Sequence, residues 1–378
     1  MKIIFQFIIV IIIASSLAGC KKDKPQIYDS PPPPLNILEE NKFQDDGMNG
    51  GGVNHLIETN DNCFVFISLT STHNIKITKT SSDLQLLWNK TVSDSINDIG
   101  SIIQTSDNGY AIVGTKKGPQ WDWVNIYTVL LKLNSNGDLE WERKYGDSYM
   151  DEGWAVKQTS DGGYMVATTN DFVTPQGNPH MCVIKVNSVG DSLWSKEFTE
   201  YIYSTGLDIQ STSDSCFVIV GDRVIVKMDK SGNKIWGTAL GSERMYSVKE
   251  TPDGGYIAFS LHSESTYWGY ALIKFDHNGN MIWEKIFDYR DSDSPRNLCV
   301  TSTGGFICTG TSDTDANYNF VILKTDGNGN KVYDNVFTKG ILCGSRCIIQ
   351  TNDNNFLLLG EYAENATTFY LFLLKFNN

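Results

Sequence analysis

The sequence predicts an all-β fold: a seven-bladed β-propeller of four-stranded antiparallel blades, closed by its N-terminal strand. Three observations carry that expectation. The first is a repeated turn, best seen as Gln158-Thr159-Ser160-Asp161-Gly162-Gly163-Tyr164-Met165-Val166, with copies at residues 105–110, 251–256 and 301–306 and weaker ones at 59–64, 212–217 and 351–356. Each copy joins two apolar runs through a polar Asp/Gly turn, which is the sequence mark of a β-hairpin. The second is the period: the turn Thr recurs seven times at spacings between 39 and 54 residues. That length suits a unit of four strands and is too long for a β-helix coil. The third is composition, since 12% aromatics and 33 glycines suit short strands joined by tight turns.

Taken in order, residues 1–19 read as a lipoprotein signal peptide. Lys2 precedes an apolar run over 3–13, and Leu17-Ala18-Gly19-Cys20 closes it. The run is too short for a membrane span. Cleavage before Cys20 leaves that residue to be lipidated, and acyl chains on it give stable anchoring. Residues 20–34 then form a tether whose Pro31-Pro32-Pro33-Pro34 is a stiff polyproline spacer. From 35 to 378 only the repeat is present. After each hairpin comes an apolar run ending in Lys (Lys132, Lys185, Lys227, Lys274, Lys324, Lys375), then a Gly/Asn turn. A strand carrying Trp88, Trp141, Trp194, Trp236, Trp283 or Tyr333 completes the unit, and this aromatic column is expected to pack onto the following unit. The seventh unit ends without such a strand, whereas residues 36–44 have its outline, so the N-terminus is expected to pair beside 369–376.

A formal charge of -13 excludes nucleic acid as a partner, because phosphate binding needs a basic surface. No cofactor motif is present, and the five histidines show no metal-ligand spacing, so neither a cofactor nor a metal is expected. Asp326-Gly327-Asn328-Gly329-Asn330 imitates the start of a calcium loop, but its alignment with residues 229–233 and 276–280 makes it a hairpin turn. Seven cysteines remain after Cys20, and they are expected to be mostly free, buried thiols.

Candidate ligand-binding residues come from the loops that vary between units, where function sits on a rigid scaffold. Trp121, Trp123, Tyr267 and Trp268 lie in such loops. Trp154, Tyr246, Arg296 and Arg346 share one place, five residues before the turn Thr, near the expected mouth of a central channel. Flat aromatics beside guanidinium forks suit a sugar or an anionic polymer. The expected function is a non-enzymatic binding or scaffolding propeller for a glycan, peptide or protein partner. The alternative is a polysaccharide-acting hydrolase or lyase with acids at the channel mouth.

The Thr-Ser-Asp-Gly-Gly-Tyr repeats after Leu-Ala-Gly-Cys resemble a family of lipid-anchored β-propeller proteins of Bacteroidetes-type bacteria, over nearly all of the chain after Leu35. A looser similarity is to the outer-membrane assembly-factor propeller and to quinone-dependent dehydrogenases. The resemblance implies a bacterial cell envelope address, held by a lipid anchor in the outer membrane. It implies no activity, since a shared fold does not transfer one.

Overall fold

A computed structural model describes residues 35–45, 56–93, 96–117, 126–146, 150–171, 179–202, 204–264, 267–287, 294–314 and 317–377. The signal peptide, Cys20 and the tether lie outside these residues. Every regular element among them is a β-strand, and the strands build the antiparallel hairpins that the repeat predicts.

The turn explains its own composition. In unit three Thr159 N donates to Gly163 O and Gly162 N to Thr159 O, both at 2.9 Å. Gly162 sits at φ +80°, a left-handed conformation that Gly adopts without penalty. Asn62, Asn108, Ser215 and Asn354 hold the same place in other units at φ near +60°. The Asp carboxylate accepts from the backbone two residues on: Gly163 N to Asp161 Oδ1 is 3.0 Å. The Lys that ends the third strand then folds back onto this Asp. Lys132, Lys185, Lys227, Lys274 and Lys375 all reach theirs within 2.9 Å, and the lysine side chains are at most 10% exposed.

The turns also link to one another around the ring. The residue before the Thr accepts a hydrogen bond from the backbone just past the Thr of the preceding unit. The links are Asn60 N to Gln104, Ser106 N to Gln158, Ser213 N to Glu250, Ser302 N to Gln350, and Asn352 N to Glu58, at 2.6–2.9 Å. Where Pro252 stands there is no N–H to give, and the facing acceptor position is the apolar Val300. The link from Asn352 to Glu58 joins the last unit to the first.

Closure by the N-terminal strand is present. Asn36–Asp45 pairs antiparallel with Thr368–Asn377, from Asn36↔Asn377 to Asp45↔Phe369, and completes a sheet with Phe356–Asn365 and Leu342–Gln350. Phe43 packs on Phe66 of the first unit at 5.4 Å.

The blade count is a correction. The strands hydrogen-bond into five sheets, not seven: three of four strands, one of eight and one of six. The eight-stranded sheet gathers units two and three through a parallel pair, Met150↔Ile126. In the six-stranded sheet Lys234–Glu250 is one continuous strand. It pairs with Phe217–Met228 on one side and Tyr256–Glu264 on the other, so units four and five merge. Phe217–Met228 likewise runs on through Gly221-Asp222-Arg223, where Arg223 is left-handed at φ +62°. Turn periodicity counts hairpins; it is silent on hydrogen bonds that continue from one hairpin set to the next.

The aromatic column packs forward as expected. Trp88 meets Tyr110, Trp141 meets Tyr164, Trp236 meets Tyr256 and Trp283 meets Phe306, with centroids 5.6–6.4 Å apart. Each such Trp also covers a turn glycine of the following unit; a Cβ on Gly232 would lie 2.6 Å from Trp194. The seven cysteines of the described residues are free thiols, four of them buried. Cys299 pairs with Ile307 and Leu298 with Cys308, so Cys299 and Cys308 are not cross-strand partners.

Candidate functional site

The innermost strands surround an axial cavity of about 180 Å³. Side chains two before the turn Thr line it. Cys299, Ile349, Ile57 and Ile103 form an apolar arc, and Lys157, Gln210 and Lys249 form the facing one. Asp208 sits behind the basic arc, accepting from Val248 N at 3.0 Å and pairing with Lys249 at 3.6 Å. Burial in the wall, with Lys249 nearby, lowers Lys157 to about 8. Pockets for small ligands run from roughly 300 Å³ upward, so this cavity admits waters or one narrow chain and no bulky ligand.

The mouth is different. Five innermost strands carry a β-bulge at the same place, and the register skips one residue in each. The steps fall between Ile99 and Ser101, Gly153 and Ala155, Met245 and Ser247, Pro295 and Asn297, and Ser345 and Cys347. The skipped residues are Gly100, Trp154, Tyr246, Arg296 and Arg346. A bulge frees its residue from the ladder and re-aims the side chain, and bulges collect beside functional sites. The column noticed in the sequence is therefore the bulge column.

Charged groups from distant parts of the chain converge there. Asp98 is raised by burial, against the opposing pull of Arg346, Arg296 and Lys117. Glu152 is raised by burial and then by Asp98, with Lys117 and Arg244 opposing. Burial and the neighbouring Arg296 lower Arg346 to about 9. Arg346 pairs with Glu361 of its own sheet, and both side chains are about nine-tenths buried. Even so, the Nε atoms of Arg296 and Arg346 are buried without a hydrogen-bond partner. Perturbed charged groups gathered beside the cavity lining mark a candidate site.

The candidates from sequence divide three ways. Arg296 and Arg346 share one charged cluster with Asp98. Trp154 and Tyr246 occupy bulges of the same ring but are engaged locally: Trp154 Nε1 donates to Thr169 Oγ1 at 3.0 Å, and Arg244 lies 5.4 Å over the Tyr246 ring. Trp268 is half exposed, at 50%, on the strand Tyr267–Phe275. Trp121 and Trp123 lie outside the described residues, as does Cys20. Sequence reasoning missed Asp98, Glu152 and Arg244, seven residues before their Thr. The available signal was that a polar residue stands at that offset in all three units.

A second polar cluster was also missed. Glu243, His262 and Glu284 bring one ligand-capable atom each to within 4.8 Å of one another.

No family model matches the chain, and no curated protein matches it. Many solved structures are similar, among them these two. A protein of unknown function from Bacteroides caccae is 12% identical, with a TM-score of 0.47, over 73% of this chain and 95% of that one. The Dos1 propeller is 10% identical, with a TM-score of 0.51, over 85% of this chain and 77% of that one. At such identities the second likeness shows the fold alone, and the fold is a β-propeller.

Proposed function

We propose that this chain is an envelope-anchored lipoprotein whose propeller is a non-enzymatic binding module, taking an acidic glycan at the channel mouth. The signal ending in Cys20 supports the anchor. The observation that carries the binding reading is the pair of buried, unpartnered Nε donors on Arg296 and Arg346. A buried donor without an acceptor costs about 1–3 kcal/mol, and a carboxylate-bearing ligand supplies the acceptors bidentately. Trp154, Tyr246 and Trp268 add flat faces for sugar rings. Trp121, Trp123 and Tyr267 remain candidate members on sequence grounds.

The test is an array of acidic and neutral glycans probed with the full chain. Selective capture of acidic members, lost in Arg296→Ala without a lowered melting temperature, is the expected result. Equal capture of neutral glycans, or binding untouched by Arg296→Ala, overturns it; a peptide or protein partner is then the remaining ligand class. For the anchor, Cys20→Ala is expected to give a precursor that incorporates no labelled fatty acid.

One observation favours a second reading, that of a polysaccharide-acting hydrolase or lyase. Asp98 and Glu152 are half-buried carboxylates, both raised by burial, with Asp98 adding to the rise at Glu152, the kind of pair that acid–base chemistry uses. Release of soluble sugar products, abolished by Asp98→Asn or Glu152→Gln, would establish the enzyme over the binder.

A further inference from the structure

We propose that Glu243, His262 and Glu284 form a binding site for one divalent transition-metal ion. Glu243 lies on Lys234–Glu250, His262 on Tyr256–Glu264 and Glu284 on Met281–Phe287, three strands of the six-stranded sheet. The pairing Arg244↔Leu261 sets Glu243 beside His262, while Glu284 comes from a strand two places further along the sheet.

The geometry fits an ion. His262 Nδ1 is 3.3 Å from Glu284 Oε1 and 3.9 Å from Glu243 Oε1. Bonds of about 2.0–2.2 Å from a four-coordinate ion to imidazole and carboxylate place neighbouring ligand atoms roughly 3.3–3.6 Å apart. The three atoms therefore need only small side-chain rotations to share one centre. Burial makes the charge matter. The side chains are 3%, 14% and 11% exposed for His262, Glu243 and Glu284. Two carboxylates and an imidazole carry a net negative charge even when the imidazole is protonated, and buried net charge is costly. The neighbouring Arg244 is directed to Asp222, at 3.0 Å. A divalent ion on a neutral imidazole makes the group neutral.

Donor chemistry narrows the ion. One imidazole with two carboxylates suits zinc, manganese or ferrous iron. Calcium prefers six to eight oxygens and is disfavoured by the imidazole. Three protein ligands leave a coordination position for water, so the site is built to hold an exchangeable ligand.

The experiment uses the full chain, stripped with chelator and dialysed separately against Zn2+ and Mn2+. Elemental analysis should find one ion per chain and a raised melting temperature on reloading. Glu284→Gln and Glu243→Gln, each nearly isosteric, should weaken binding at least tenfold, and His262→Gln should abolish it. Circular dichroism of the metal-free variants separates lost binding from lost folding, and Co2+ substitution should give visible ligand-field bands that vanish with His262→Gln. Failure of the stripped protein to take up either ion, or unchanged stoichiometry in all three variants, overturns the site. So does a His262 imidazole that stays protonated at neutral pH, by NMR, with saturating metal present.

Discussion

The two ends of the innermost strands obey different rules. At the turn end nearly every unit repeats one device: Thr, Asp, a left-handed Gly or Asn, and a buried Lys folded back onto the Asp. At the other end the bulge residue is Gly100, Trp154, Tyr246, Arg296 or Arg346, and no two adjoining bulges carry the same side chain until the last pair. Uniformity at the turns is what stability requires, because each unit must solve the same local problem of ending a hairpin and capping a buried Lys. Variation at the bulges carries no such requirement. It places two like charges together at Arg296 and Arg346, and burial with Arg296 nearby lowers Arg346 even though Asp98 opposes the shift.

Breaking the ring itself should have the largest effect, since both ends depend on it. Deleting residues 35–45 removes the whole edge strand beside Thr368–Asn377, the Phe43 contact to Phe66, and the bond from Asn41 Nδ2 to Leu84 O at 2.8 Å. A loss of at least about 3–5 kcal/mol is expected, the scale of truncating one core Phe. Trimming residues 21–34 should leave the melting temperature unchanged. Equal melting of both deletions and the parent would show that closure contributes nothing.

Next comes the turn device. Asp161→Asn should cost about 1 kcal/mol, a figure discounted because the carboxylate is 59% exposed although its Lys is buried. The pH dependence has a definite sign. Hydrogen bonds from Lys185 and Thr159 hold Asp161 well below the usual carboxylate range. Lys227 and Thr212 bring Asp214 to about 2. Burial opposes the shift at Asp107 and Asp253, yet their Thr and Lys partners still bring both to about 2. Carboxylates lowered in the fold contribute stability in full above the unfolded value, about 3.9. That contribution is lost as pH falls from about 4 toward 2. Acid unfolding followed by fluorescence should start at higher pH in a double Asp161→Asn, Asp253→Asn variant. Ligand binding at the mouth should be untouched.

The mirror-image experiment is Arg296→Met. Removing one of two like charges should raise stability by up to about 1 kcal/mol and let Arg346 return toward its ordinary value, while ligand binding falls at least tenfold. A variant that loses stability and keeps its ligand would make Arg296 a structural residue and end the contrast between the two faces.

Much of the turn end was legible in the sequence because it is local. Thr159 to Gly163 is one hairpin, and the Lys185 that caps it is recognisable by its place after an apolar run. Closure was legible too, since the strand missing from the last unit is the one supplied by residues 36–45. What was not legible depends on relations between strands. The merging of seven hairpin sets into five sheets rests on one parallel pair, Met150↔Ile126, and on a strand that does not stop. The bulges are register shifts: a shared offset from the turn Thr marked their column, but nothing in the sequence showed that its residues leave the ladder. His262 and Glu284 are neighbours only because a sheet brings their strands together, so no ligand-type interval separates them in the chain.

The smallest effect should come from repairing the one turn that lacks its acid. In the sixth unit Thr303 stands where Asp stands in every other unit, and Thr301 Oγ1 takes over the backbone bond, accepting from Gly305 N at 3.0 Å. Lys324 is lowered by burial; its Nζ lies over the rings of Tyr333 at 5.5 Å and Phe356 at 5.1 Å. A lysine lowered in the fold opposes folding at neutral pH; the penalty is full below its lowered folded value and fades as pH rises from there to its unfolded value, near 10.4. Thr303→Asp supplies a carboxylate at the distance at which Asp253 meets Lys274, 2.9 Å. It should raise stability by about 0.5–1 kcal/mol, with the partly exposed acid limiting the gain. The gain should be present at pH 7 and shrink both below pH 4, where the new Asp protonates, and above pH 10, where Lys324 loses its proton. A melting temperature that is unchanged at pH 7, or that rises equally at pH 3, would mean that the half-buried Lys324 is already satisfied by its aromatic neighbours and that the acid in the other turns serves the backbone alone.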